Sequence, residues 1–417
     1  MSPALFEGLV AGFALLAGLL LGAALLLPMA LSGALRLGAA RAKSAVATWF
    51  WADTRQQLPG LSLALMALLL ALAANIGVST MVGSFRLTFT GWLDQRLAAD
   101  LYVRASSAED ANALRDFAAQ AGADLLPRAE IEAQLAGAPG AIQGISDHPI
   151  YREDWPLLTA ADGVWDRLAA GDAVLVNEQL ARREGLAPGD SLDLADGWRL
   201  PIAGIYSDYG NPRGEAFVAL DALQARAPDA VVRDFGVIAP AGTAPDALRQ
   251  RLIDETPVTA GSVIDQAGAK ALSLSIFERT FAVTGALNVL TLAVAAIAML
   301  TALLTLAGMR LPQLAPVWAL GLTRARLARL DLVRAALLAA LTFAAALPLG
   351  LAVAWALLAV VNVEAFGWKL PMHLFPRDWA LLFVLALLAA LIAAALPARR
   401  LARIAPAAFL KVFADER

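Results

Sequence analysis

Five stretches of this chain contain no Asp, Glu, Lys or Arg: Gly8–Leu35, Gln56–Phe85, Thr280–Met309, Ala335–Val363 and Trp379–Ala398. A helix crossing a hydrocarbon core about 30 Å thick needs about 20 apolar residues at about 1.5 Å each. Each stretch therefore predicts one spanning helix. The first differs from a cleaved leader. Its apolar run is too long, it starts beside Glu7 rather than Lys or Arg, and no cleavage-like polar region follows. It reads as a retained helix.

Between the second and third stretches the pattern changes to that of a water-soluble, mixed α/β domain, Arg86–Arg279. Leu87–Ala98 continues the second span as a helix leaving the membrane, and Val263–Ser275 reads as a helix running into the third span. The two flanking helices form either a stalk that transmits motion or a plain anchor. Inside the domain, Asp100–Val103 reads as a strand. Ser107–Gln120 reads as an amphipathic helix, with Ser107 as N-cap and Gly122 as stop. Ala173–Val176 predicts a strand, and Glu178–Glu184 a helix ended by Gly185. Pro188-Gly189-Asp190 is a turn before the strand Ser191–Leu194. Gly197-Trp198 separates that strand from Arg199–Tyr206, and Ala216–Leu220 is a further strand. The expected fold class is thus an α-helical multi-pass membrane protein with five transmembrane helices and an inserted α+β extracytoplasmic domain.

Composition supports the membrane reading: 59% of the 417 residues are hydrophobic and 17% charged, against about 45–50% and about 25% in soluble domains. Lys and Arg number four in 36–55, five in 310–334 and five in the tail from Arg399, but two in 364–378. Basic connections stay in the cytoplasm. This places the N-terminus and the large domain outside and the C-terminus inside, in a plasma or inner membrane. The large domain holds 29 of the 36 acidic residues but 17 of the 33 basic ones, a net charge of −12. So acidic a domain argues against nucleic-acid binding.

Candidate catalytic chemistry is sparse. There is no Cys, and the two histidines, His148 and His373, lie far apart in sequence, so neither thiol chemistry nor a His-based metal cluster is expected. No G-x-S-x-G, H-E-x-x-H or G-x-x-x-x-G-K-[ST] occurs; no cofactor is expected in this chain. Glu153 and Asp154 beside Trp155, and Asp208-Tyr209-Gly210-Asn211, offer carboxylates, but acids next to turn formers read as solvated loop residues.

Two other features bear on function. In the spans, Asn75 and Asn288 must each find a polar partner on another helix, and Ser79-x-x-x-Gly83 is a small-xxx-small pattern for close helix packing. The absence of charge within the spans argues against an ion-coupled carrier. On the cytoplasmic side, Pro312 suits the first turn of a short helix, Gln313–Leu320, and Gly321 its left-handed stop. Thr323 then caps a helix whose basic first turns hold Arg324, Arg326 and Arg329. Such an elbow can receive a push from a soluble partner. It can equally be an interfacial linker whose basic residues meet anionic membrane lipids.

The run Arg310…Gln313-Leu-Ala-Pro-Val-Trp-Ala-Leu-Gly321-Leu-Thr-Arg resembles the R-x-x-E-x-x-x-L-R-A-L-G-A-S/T-R coupling segment of FtsX-like ABC transporter permeases, the superfamily with the MacB-type and lipoprotein-releasing members. Pro397-Ala-Arg-Arg-Leu-Ala-Arg-Ile-Ala-Pro406-Ala resembles that family's terminal P-A-R-R-A-A-R-x-x-P-A. The order of one span, a large exported domain, three spans and a basic tail is also similar, from about Gln56 to Leu410. The resemblance implies a non-catalytic permease subunit worked by mechanotransmission. A separate cytoplasmic ABC ATPase binds ATP and pushes on Gln313, Leu314, Val317, Trp318, Leu320, Gly321, Leu322 and Arg324. The exported domain then handles a lipid, lipoprotein or hydrophobic substrate, or, as in some relatives, serves as a scaffold that activates an extracytoplasmic hydrolase or meets an adaptor. Gln313 and Trp318 stand where the family usually has Glu and Arg, and Pro316 disturbs the short helix, so a charged contact to the ATPase is missing there. The extra first span resembles the second linking helix of a two-repeat permease. The chain is therefore expected to resemble its C-terminal half, working with a second permease half.

Overall fold

In a computed structural model, residues 3–195, 197–309, 317–318 and 321–403 are described. Side chains at 3–6, 195, 276–285, 287–288 and 307–309 lie outside that description. Among the described residues, five helices are long and apolar enough to cross a membrane by length and composition. They are Pro3–Ala40, Ala45–Arg96, Gln266–Met309, Arg324–Ala356 (prolonged by a π-turn at Leu357–Val361) and Pro376–Arg403. The second is longer than its apolar stretch at both ends. Most of the basic segment that reads as a loop, 45–55, is helix, because Ser44 caps it with its hydroxyl accepting from Ala47 N–H at 3.2 Å.

The chain divides into two compact units. One comprises Met1–Ser84, Phe281–Val361 and Pro371–Arg417; the other comprises Phe85–Thr280 with Asn362–Leu370. The core of the helical unit is made by Leu, Ala, Ile and Met of all five spans, among them Leu31, Leu65, Leu72, Ile76, Met299, Leu338 and Ala390. Small residues set the closest approach. A Cβ on Gly77 would lie 2.5 Å from Val353 Cγ1, and one on Gly350 would lie 2.6 Å from Ile76 Cβ and 3.0 Å from the Ala73 carbonyl oxygen. The second and fourth helices therefore touch backbone to backbone, as small residues permit in lipid. Gly83 packs on the Phe375 ring, where a Cβ would meet Cζ at 2.8 Å, and Ser79 bonds back to Ile76 O at 3.3 Å within its own helix. The backbone-to-backbone crossing of the second and fourth helices is at Gly77 and Gly350, beside the close contact at Gly83.

Asn75 does find a partner on another helix. Its amide donates to Ala71 O at 2.7 Å and to Thr291 Oγ1 at 3.0 Å. The Asn288 side chain lies outside the described residues.

The second unit is built on one mixed sheet. In chain order its strands are β1 Leu101–Arg104, β2 Asp124–Leu135, β3 Ala138–Ile145, β4 Leu157–Ala160, β5 Val174–Asn177, β6 Ser191–Ala195, β7 Trp198–Tyr206, β8 Gly214–Ala219, β9 Val232–Ile238 and β10 Val263–Asp265. Their order is β10-β1-β9-β2-β3-β8-β5-β7-β4, with β6 on β7; the β3–β8 and β5–β7 pairs are parallel. Helix Ala108–Ala121 starts with the Ser107 hydroxyl accepting from Asp110 N and stops at Gly122, and helix Glu178–Glu184 stops at Gly185, as the sequence indicates. Val263–Asp265 corrects the expectation of a helix from Val263, because these residues pair with β1 and the helix begins at Gln266. The β2–β3 hairpin turns through Ala136 and Gly137, both at positive φ (50° and 78°), the two-residue geometry that suits strand twist.

One sheet face packs on helices Ala108–Ala121 and Pro245–Glu255 through Leu114, Phe117, Leu248 and Leu252. The other carries an aromatic cluster of Tyr151, Trp155, Tyr206 and Phe217. The stretch 362–370, which joins the end of the fourth apolar stretch to part of the connection 364–378, belongs to this unit. Gly367 lies against Gln179, the Lys369 N–H donates to Glu178 Oε1 at 3.2 Å, and Trp368 meets Tyr209 edge-on at 6.4 Å.

The close crossing gives a direct test. Gly350→Val forces two helices apart, and overpacking of this kind costs about 1–3 kcal/mol. Full-length protein in detergent should melt at lower temperature, whereas Gly18→Val, at a site open around its Cα, should leave the melting point unchanged.

Candidate functional site

The elbow is described at Val317, Trp318 and from Gly321 onward; Gln313, Leu314 and Leu320 lie outside the described residues, as do Pro312 and Pro316. Gly321 has φ +101°, a left-handed value that a side chain would strain. Its N–H donates to Trp318 O at 2.9 Å, and the Leu322 N–H reaches Val317 O at 3.4 Å. This pair of bonds is the Schellman closure of a helical turn. Two residues on, the Thr323 hydroxyl accepts from Arg326 N and starts the fourth spanning helix. Glycine stop and threonine cap thus form one sharp corner, with Arg324 in the first turn of the outgoing helix.

The corner is held by apolar contacts. Val317, Trp318 and Leu322 pack with Trp49 on the buried Leu327 and Leu401. These residues come from the start of the second helix, the start of the fourth and the end of the fifth. The elbow therefore rests on the ends of three spanning helices rather than projecting as a free loop.

Sequence reading missed the polar anchor beside it. Arg334 counts as one more basic residue in the pattern, yet only 2% of it is exposed. Its guanidinium pairs with Asp53, donates to Asp331 Oδ1 at 2.7 Å, to Thr54 Oγ1 at 3.1 Å and to Gln57 Oε1 at 3.2 Å, and lies 5.6 Å from the Phe50 ring centroid. Gln57 in turn donates to Asp53 Oδ2 at 2.8 Å. A buried guanidinium needs such a fork of acceptors. Asp53, Thr54 and Gln57 lie on one face of the second helix, about 280 residues away in sequence, and the i, i+1, i+4 spacing shows the signal only in hindsight.

In the exported unit, the carboxylates read as solvated loop residues fall into two groups. Glu153 and Asp154 are exposed, but Asp208 is buried, which corrects that reading for Asp208. Asp208 accepts from Asn211 Nδ2 at 2.8 Å and Asn177 Nδ2 at 3.2 Å. The same Asn211 amide reaches Glu215 Oε2 at 3.2 Å, and the Tyr206 hydroxyl donates to Glu215 Oε1 at 3.0 Å. Arg96, at the end of the second helix, pairs with Glu215 at 3.6 Å and stacks 4.3 Å over Trp155. Burial, then the neighbouring Asp208 charge, push the Glu215 carboxyl above its ordinary value, against the pull of Arg96. Burial also drives the Tyr206 hydroxyl well up. No group of three or more His, Cys, Asp or Glu that could hold a metal occurs among the described residues.

Two tests follow. Removing one partner of a buried ion pair costs about 3–5 kcal/mol, while replacing both by apolar residues is often near neutral. Arg334→Met should therefore destabilise the protein strongly in denaturant melts, and Asp53→Leu with Arg334→Met should recover most of the loss. For Glu215, the folded value lies above the unfolded one, so its contribution to stability is full below the unfolded value and is lost as pH rises through the folded one. Melting temperatures measured across that range should fall with rising pH in the native protein, and less so in Glu215→Gln.

Known proteins resemble this chain in two of its stretches. Residues 285–406 match the FtsX-like permease C-terminal region, and residues 61–255 match the MacB-like periplasmic core domain. An uncharacterized ABC transporter permease protein of Mycobacterium tuberculosis is 30% identical over 364 residues, 82% of this chain; the chain spans 42% of that relative's length. Among solved structures, the extracellular domain of the noncanonic ABC-type transporter YknZ from Gram-positive bacteria is 11% identical, covering 40% of this chain and 98% of that one (TM-score 0.30). The periplasmic region of MacB from Actinobacillus actinomycetemcomitans is 10% identical, covering 41% and 90% (TM-score 0.30). The chain thus carries a stretch that matches the MacB-like periplasmic core domain ahead of one that matches the FtsX-like permease C-terminal region.

Proposed function

We propose that this chain is the permease subunit of an ABC transporter complex that works by mechanotransmission. A separate cytoplasmic ATPase hydrolyses ATP, and the permease itself is non-catalytic. The observation that carries this reading is the corner at Gly321: a glycine-closed turn and a threonine-capped helix start, seated on the ends of three spanning helices. A load applied at Val317, Trp318, Leu322 or Arg324 passes directly into those helices. The second and third spanning helices each run unbroken into segments of the exported unit, Ala45–Arg96 and Gln266–Met309. Such helices carry displacement without a path for substrate through the spans. Gln313, Leu314 and Leu320 would complete the ATPase contact. Asn75, Ser79, Gly83 and Asn288 would serve helix packing.

In this reading the N-terminus and the sheet domain are extracytoplasmic, the C-terminus is cytoplasmic, and the substrate is a lipid, lipoprotein or other hydrophobic compound. A second set of spans, in the same polypeptide or another, completes the permease.

The test is co-purification with the candidate ATPase and measurement of ATP hydrolysis. Proline fixes φ near −65° and has no N–H, so Gly321→Pro removes both the left-handed turn and the bond to Trp318. Hydrolysis in the complex should fall about tenfold or more while the spans stay folded by circular dichroism. Unchanged complex formation together with unchanged hydrolysis would sink the coupling assignment.

A further inference from the structure

The exported unit is strongly acidic, yet one sheet face gathers arginines around a cleft. Cross-strand register places Tyr102 (β1), Gly236 (β9) and Leu126 (β2) in one row, and Arg104, Asp234 and Arg128 in the next. Residues two apart on a strand share a face, so these six side-chain positions look the same way. Two hollows lie on that face. The outer, of about 260 Å³, is lined by Tyr102, Arg104, Arg128, Asp234, Ser262 and Ile264 among others. The inner, of about 20 Å³, is bounded by Arg96, Tyr102, Arg128, Tyr151 and Trp155 among others. They share Tyr102, Arg128 and Gly236.

The donors around the inner hollow are under-used. Arg128 Nη2 donates to the neutral Gln143 Oε1 at 2.6 Å, and Gln143 passes the contact on to Glu130 at 2.9 Å. Among the described residues no carboxylate reaches ion-pair distance of Arg128, and its Nε is shielded from solvent without an acceptor. Trp155 Nε1, on the same hollow, is likewise buried without an acceptor. The Tyr102 hydroxyl accepts from Ala99 N at 3.1 Å, which orients it and keeps its proton for donation. The two other arginines have partners: Arg96 pairs with Glu215, and Arg104 with the cleft's own carboxylate, Asp234, at 3.4 Å. Among the described residues Arg128 is the one of the three with no carboxylate at ion-pair distance, the charges of Glu215 and Asp234 acting on it only from further off. Burial and the nearby Arg96 pull its guanidinium below the ordinary arginine value, as a cation does where an anion is called for.

Two buried donors without acceptors, a guanidinium with no carboxylate at ion-pair distance and a hydroxyl around one hollow make an oxyanion receptor. A small inner space takes one oxygen, and the outer cleft takes the rest of the group. We infer that this face of the exported domain binds a phosphate group, through Arg128 with the Trp155 N–H and the Tyr102 hydroxyl. Arg–phosphate recognition uses this kind of forked, charge-assisted donor set. Tyr102 and Ile264 give the outer cleft an apolar wall, which suits a phosphate carried on an amphiphile such as a lipid headgroup. The site goes beyond the transport reading and does not depend on it, since it involves neither the elbow nor the ATPase.

The test is isothermal titration of the full chain in nonionic detergent with three probes: dihexanoyl phosphatidic acid, inorganic phosphate and uncharged dihexanoylglycerol. Both phosphate probes should bind saturably, more weakly as ionic strength rises, and dihexanoylglycerol should not. Tighter binding of phosphatidic acid assigns the site to lipid headgroups, and equal binding assigns it to free phosphate. Arg128→Gln should weaken either probe by about tenfold or more. Arg104→Gln, at an exposed rim position, should weaken it about two- to threefold. If Arg128→Gln fails to fold, Trp155→Phe keeps an aromatic ring and removes only the indole N–H, and it too should weaken binding. Absence of saturable binding by both phosphate probes, or native affinity in Arg128→Gln or Trp155→Phe, would overturn the inference.

Discussion

Hydrocarbon offers no hydrogen bonds, and most of this chain's design can be traced to that constraint. A backbone in the bilayer core must satisfy its N–H and C=O groups within its own segment, so the five apolar stretches become long helices. The same requirement governs their side chains. Asn75 bonds to Ala71 O and Thr291, and Thr80 accepts from the Trp379 indole at 3.3 Å. Where a charge is buried, at Arg334, it is met by Asp53, Asp331, Thr54 and Gln57 at once. With no hydrophobic force to draw helices together in lipid, close packing takes over, and Gly77 and Gly350 bring the second and fourth helices to backbone contact.

The elbow uses the opposite circumstance. Outside the hydrocarbon a chain can turn, and here it turns within a few residues because glycine supplies the left-handed conformation and threonine the cap. The buried Arg334 network lies about three turns further along the same helix, so corner and anchor share one rigid element. The corner is therefore carried by a helix fixed to its neighbour by a satisfied ion pair rather than by apolar contact alone.

In water, the exported unit manages charge differently. Its surface acids are ordinary, but a row of polar groups crosses one face of the sheet, from Arg128 through Gln143 and Glu215 to Asn211 and Asp208. Buried networks of this kind are strong only when each member is satisfied. The Asp208–Glu215 end is well supplied with donors, while the Arg128–Trp155 end has donors to spare. The imbalance separates a structural part of the row from a part suited to a ligand.

Local signals determined much of this by themselves. Five charge-free stretches, the caps at Ser107 and Gly122, the stop at Gly185 and the corner at Gly321 each rest on a few adjacent residues whose preferences need no distant partner. Other features were settled only by tertiary structure. Strand β2 alternates imperfectly around Pro127, Glu130 and Glu132 and becomes a strand by pairing with β3 and β9. Val263–Asp265 is too short to show a period, and β1 decides its conformation. Burial of Arg334 and Asp208, and partial burial of Arg128, depend on residues brought in from elsewhere in the chain. A sequence shows what each residue prefers locally; whether a charge is solvated, paired or left awaiting a counter-ion depends on what folding places around it.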